Sequence, residues 1–72
     1  MDDTICTVKL FSYLDRPSRK RQRKAFQIER IDGIVTALDR ARREWEDRNG
    51  DVWVEAYDAD GTLVMTLYPL GS

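Results

Sequence analysis

The run "RPSRKRQRK", residues 16–24, puts six cations within nine positions and no acid among them: Arg16, Arg19, Lys20, Arg21, Arg23 and Lys24. Positive charge at that density makes an anion-binding footprint, for which nucleic-acid phosphate and an acidic protein surface are both suitable targets. The plainer account is a surface loop kept soluble by its charge. Elsewhere the sign reverses. Residues 44–72 carry seven acids and one base, so the net charge of -1 conceals a dipolar chain. That acidic third, in a neighbouring copy, is another target for the basic run. A second group with binding potential is aromatic: Trp53, Tyr57 and Tyr68, with Phe11 and Tyr13 at the other end of the chain. Trp, Tyr and Arg dominate the energetic centres of binding surfaces.

Catalysis has little to work with here. The chain has no histidine to serve as base or metal ligand, and no glycine-rich phosphate loop. Cys6 is the single cysteine and lies in an apolar stretch, where it behaves as a small hydrophobe rather than an activated thiolate. It excludes a disulfide within the chain, and one sulfur cannot build a zinc site. Glu44, Glu46 and Asp47 have arginine neighbours, as solvated helix faces do. Asp58 and Asp60 belong to "DADG", which opens like a calcium loop but lacks the later ligands and the closing glutamate. We therefore expect no cofactor, no metal and no enzymatic activity.

These residues need elements to position them. "TICTVKLFSYL", residues 4–14, is β-branched and aromatic and reads as a strand, with Cys6, Val8 and Leu10 on one face and Ile5, Phe11 and Tyr13 on the other. Asp15 to Ser18 is a turn signal, the basic run follows as a loop outside any core, and "AFQIERI" is a second strand. Asp32 suits a helix N-cap, and Ile34, Leu38, Ala41 and Trp45 form a helical stripe that ends at Asn49-Gly50. Trp45 is expected to be buried against the sheet. "DVWVEAYDADGTLVMTLYP" is a hairpin turning at residues 58–61. Its register sorts Val52, Val54, Ala56, Leu63, Met65 and Leu67 onto the helix side, leaving Trp53, Glu55, Tyr57 and Tyr68 opposite.

The expected fold is therefore α+β, a ββαββ chain whose four-stranded, antiparallel-rich sheet carries one helix on one face. Residues 1–72 form a single domain. One helix covers one face only, so the aromatic face is expected to be bare or bound. A chain of this size buries only about 60% of its unfolded surface, which favours a homodimer or another partner. No segment reaches the length of a membrane span, and the acidic start "MDD" is the reverse of a secretory signal, so a cytoplasmic protein is expected.

"FQIERIDGIVTALDRA" followed by "GDVWVEAYDADGTLVMTLY" resembles, over about residues 24–68, the layout of small phage-encoded anti-CRISPR proteins: a strand with a Gln27-Ile28-Glu29 triplet, a helix and a closing hairpin. The resemblance implies a non-enzymatic inhibitor docked on a nucleic-acid-guided effector complex, and it assigns no residue a role. Two function classes follow. One is a protein-binding module that uses the basic run with Trp53, Tyr57 and Tyr68. The other is a direct nucleic-acid binder, in which the run grips phosphate and the aromatics stack on bases. The acidic C-terminal third would repel a polyanion, which favours the protein partner.

Overall fold

In the computed structural model, which describes residues 4–15 and 20–70, the first strand sits at the centre. β1 (Ile5–Phe11) is followed by β2 (Tyr13–Asp15), β3 (Lys20–Arg21), β4 (Gln27–Asp32), α1 (Ile34–Asp47), β5 (Trp53–Tyr57) and β6 (Leu63–Leu67). The main sheet has the order β4-β1-β5-β6 and every neighbouring pair is antiparallel. Because β4 and β5 both oppose β1, they run in the same direction. The chain between them must cross a face of the sheet, and α1 is that crossover. The α+β architecture with one helix on a four-stranded sheet is thus as the sequence implies.

Strict alternation along β1 and β5 builds the core. Cys6, Val8 and Leu10 meet Val54 and Ala56 across the strand pair, and all are buried beneath α1. The helix approaches through Ala37 and Ala41, both fully buried, whose small side chains let its backbone come close to the sheet. Leu38, Trp45, Ile31, Met65 and Leu67 close the margins. Over β4 the contact changes character, because the helix-facing positions there are Gln27 and Glu29. Arg40 Nη1 donates to Glu29 Oε1 at 2.8 Å, Gln27 Nε2 donates to Glu29 Oε2 at 2.7 Å, and Arg48 holds Glu44. Burial and the neighbouring Glu44 push the Glu29 carboxyl above its ordinary value, while Glu29, Arg48 and Arg40 hold Glu44 below its own.

Several expectations need correction. The first strand does not run unbroken to residue 14. It ends at Phe11, and after Ser12 the chain pairs with Lys20–Arg21 as a separate two-stranded ribbon, closed by Gln22 N–H donating to the Ser12 carbonyl at 2.8 Å. Asp32 does not cap α1. It accepts a hydrogen bond from Thr4 Oγ1, and the N-cap position is Gly33, with φ of 95° and no side-chain cap. Trp45 is only partly buried, since it lies in the last turns of α1, where its Nε1–H donates to the Tyr68 carbonyl at 3.1 Å. Leu63 is 48% exposed rather than core-facing, because the register shifts between Ala56 and Tyr57 and leaves the last rung out of step.

The two turns behave as expected. Asn49 and Gly50 adopt φ of 57° and 70°, and Gly50 N–H donates to the Trp45 carbonyl at 2.8 Å. A Cβ at Gly50 would lie 2.6 Å from Leu70 Cδ1, so glycine is needed there for both conformation and space. In the hairpin turn, Asp58 Oδ1 accepts from the backbone N–H groups of Asp60 and Thr62, each at 2.9 Å.

Candidate functional site

Behind the sheet, opposite α1, the pairing of Thr7 with Arg30 and of Lys9 with both Ile28 and Glu55 sets these side chains on one open face. Phe11 and Trp53 pair directly on the same face. The ribbon folds back over this end of the face. Arg21, on β3, places its guanidinium carbon 3.8 Å from the Phe11 ring centroid and donates from Nε to Glu55 Oε2 at 2.9 Å.

Glu55 is the hub. It is 6% exposed and accepts three side-chain hydrogen bonds: from Arg21, from Trp53 Nε1–H at 3.0 Å and from the Tyr57 hydroxyl. Burial pushes its carboxyl up, but the donors from Tyr57, Arg21 and Trp53 and the Arg21 charge outweigh that, leaving it below its ordinary value. Tyr57 responds in the opposite direction: burial, its bond to Glu55 and the Glu55 charge push its hydroxyl up to about 12.

Beside this hub lies a cleft of about 330 Å³. It is lined by Lys9, Arg21, Arg23 and Lys24 together with Phe11, Ala25, Ile28 and Tyr57. Lys9 Nζ sits 4.9 Å from the Tyr57 ring centroid. Among the described residues, no acid forms an ion pair with Lys9, Arg23 or Lys24, and none lines the cleft. What the arrangement can do chemically is hold anions, because several cations converge beside apolar side chains. Among the described residues, no group of three or more His, Cys, Asp or Glu is placed to hold a metal ion.

The nine residues expected to bind a partner divide here. Arg16 and Arg19 lie outside the described residues. Arg21, Arg23, Lys24 and Tyr57 come together in the cleft, whereas Lys20 is exposed on β3 away from its lining. Trp53 is not an exposed anchor. It is 9% exposed and packs edge-on against Tyr68 with ring centroids 4.8 Å apart. Tyr68 itself remains 43% exposed, beyond the cleft. Nor does the basic segment lie wholly outside the folded body, since Arg21 is tied into it. Sequence reasoning missed Lys9 and Ile28. The parity that put Phe11 opposite the core also put Lys9 there, and a lone lysine in an apolar strand was the available signal.

Chain and site thus define a small α+β domain with a basic cleft on the sheet face that its helix does not cover. Comparison with protein-family models, curated proteins and solved structures finds no match. Among the described residues, no helix is long and apolar enough to cross a membrane.

Proposed function

We propose that this chain is a non-enzymatic binding module that seats an acidic protein segment on its open sheet face. The observation that carries this is the convergence on one cleft of Lys9, Arg23 and Lys24, none of them ion-paired among the described residues, beside the Glu55-bound Arg21. The same geometry weighs against direct nucleic-acid binding. Stacking on bases beside the cations needs free ring faces there, but Arg21 covers Phe11, Lys9 covers Tyr57 and Trp53 is buried, while the exposed rings of Phe26 and Tyr68 are not part of the cleft lining. Carboxylates need only the cations. A homodimer is compatible with this chemistry, because residues 44–72 of a second copy would supply the acids.

The resemblance to anti-CRISPR proteins narrows the partner to a nucleic-acid-guided defence complex and makes the chain a phage or mobile-element inhibitor working in the cytoplasm. Titration of the purified chain with an acidic peptide, duplex DNA, single-stranded DNA and RNA tests the module. The peptide is expected to bind, and Lys9→Glu with Lys24→Glu to abolish that binding. Tight nucleic-acid binding that falls about a thousandfold between about 50 and about 200 mM salt would transfer the cleft to the competing function. The inhibitor form is tested separately, by whether expression of the chain restores phage plaquing on a host carrying an active defence complex. A set of hosts showing no restoration removes that form and leaves the module.

A further inference from the structure

The cleft runs out to a sheet edge that is open among the described residues. β4 is the terminal strand on that side, and Ile28, which lines the cleft, is 55% exposed. The hydrogen-bond phase of the edge can be read from its neighbour. Gly33 N–H donates to the Thr4 carbonyl at 2.8 Å, and the register pairs Cys6 with Ile31 and Val8 with Glu29. Alternation in an antiparallel ladder then turns the N–H and C=O groups of Glu29 and Ile31 inward to β1, and those of Ile28 and Arg30 outward. The side chains of Ile28 and Arg30 share the open face with Lys9. Arg30 is exposed and, among the described residues, has no acidic partner.

Resting on the proposed function, we infer that the acidic partner binds as an added antiparallel strand along the outer edge of β4. Its backbone bonds to Ile28 and Arg30, and every second side chain is an acid directed at Lys9, Lys24 and Arg30. The occupant follows from charge complementarity. Residues directly opposite Ile28 and Arg30 in hydrogen-bonded pairs point to the same face, so the acids and the bonding N–H groups belong to the same residues of the partner. A second copy of β4 suits the edge less well, since pairing that sets Ile28 against Arg30 also sets Glu29 against Glu29.

The test leaves the protein unaltered. The probe is an alternating Glu-Val peptide of about eight residues, compared with two analogues, one N-methylated at the Glu nitrogens and one at the Val nitrogens. Methylation keeps every charge and removes only backbone donors. The Glu-methylated analogue is expected to bind roughly tenfold more weakly or worse, and the Val-methylated one like the parent. Amide exchange should slow at Ile28 and Arg30 in the parent complex. Equal binding by all three peptides, with loss still produced by Lys9→Glu and Lys24→Glu, overturns the edge and keeps the cleft. Equal weakening of both analogues without protection at Ile28 and Arg30 also overturns it. If the parent peptide does not bind at all, both the edge and the module fall. Protection at Ile28 and Arg30 that grows with concentration of the chain alone gives the edge to a second copy and refutes an acidic peptide as its occupant.

Discussion

Glu55 is a buried carboxylate that three donors make tolerable, and its environment fixes how the protein answers pH. Its folded value lies below the ordinary carboxylate value, so the stabilisation is complete above the unfolded value and is lost as pH falls through the folded one. Glu55→Gln removes that dependence, and the acid limb of thermal melts recorded against pH should flatten. Tyr57 gives the alkaline counterpart. Its hydroxyl is raised to about 12, so its contribution holds below the ordinary value of 10.0 and is lost as pH rises through about 12. A phenolate absorbance titration should therefore contain a late step near 12, and Glu55→Gln should move that step down. Arg21→Ala leaves Glu55 with its two neutral donors and should cost about 1–3 kcal/mol in denaturant unfolding. A cost near zero would mean that the ribbon is not held by this pair.

At the scale of elements, packing on the sheet face opposite α1 decides which tryptophan matters more. Trp53 lies opposite the helix, yet it is buried, whereas Trp45 in α1 is only partly so. Trp53→Ala should cost about 3–5 kcal/mol and Trp45→Ala less, measured side by side in urea. The reverse order would mean that Phe11 and Tyr68 do not pack on Trp53 in solution. The turn after α1 gives a further test: Gly50→Ala must adopt φ near 70° and displace Leu70, so a loss of about 1–2 kcal/mol is expected. How much of this could be read in advance depended on periodicity. α1 and the β5–β6 hairpin announce themselves through a stripe, a Gly stop and the "DADG" turn. The ribbon does not, because two residues, Lys20 and Arg21, carry no β-propensity pattern, and the contact that ties Arg21 to the sheet, Glu55, is remote in sequence. The one advance sign of the hub was Glu55 itself, a lone acid within "VWVEAY".

For the whole molecule, the cations spared by the hub should govern binding without governing stability. Lys24 is exposed, so Lys24→Glu should shift unfolding by no more than about 0.5 kcal/mol, while Lys9→Glu, directly opposite Glu55, should cost up to about 1 kcal/mol; together they should remove acidic-peptide binding. Sequence reasoning found the basic segment but not its cleft. Half of the cleft comes from β1, β4 and β5, whose alternation says which residues share a face but not that the segment from Arg21 to Lys24 will come over it. With Trp53 covered, the bare aromatic face that argued for a homodimer has largely gone. Sedimentation of the free chain at micromolar concentration is expected to show a monomer; a stable dimer would have to use the basic cleft or the β4 edge in place of the aromatic face.

The central place of β1 has a consequence for synthesis. The ribosome releases this strand well before one of its two neighbours, β5, and Phe11 waits for Trp53. Until then, Val8 and Leu10 have no β5 to pack against, and the N-terminal half cannot complete a core ahead of the C-terminal half. Folding is thus postponed until β5 and β6 have emerged and should then occur in one step. Nascent chains arrested before residue 53 are expected to be protease-sensitive throughout, and chains released beyond residue 67 to be resistant.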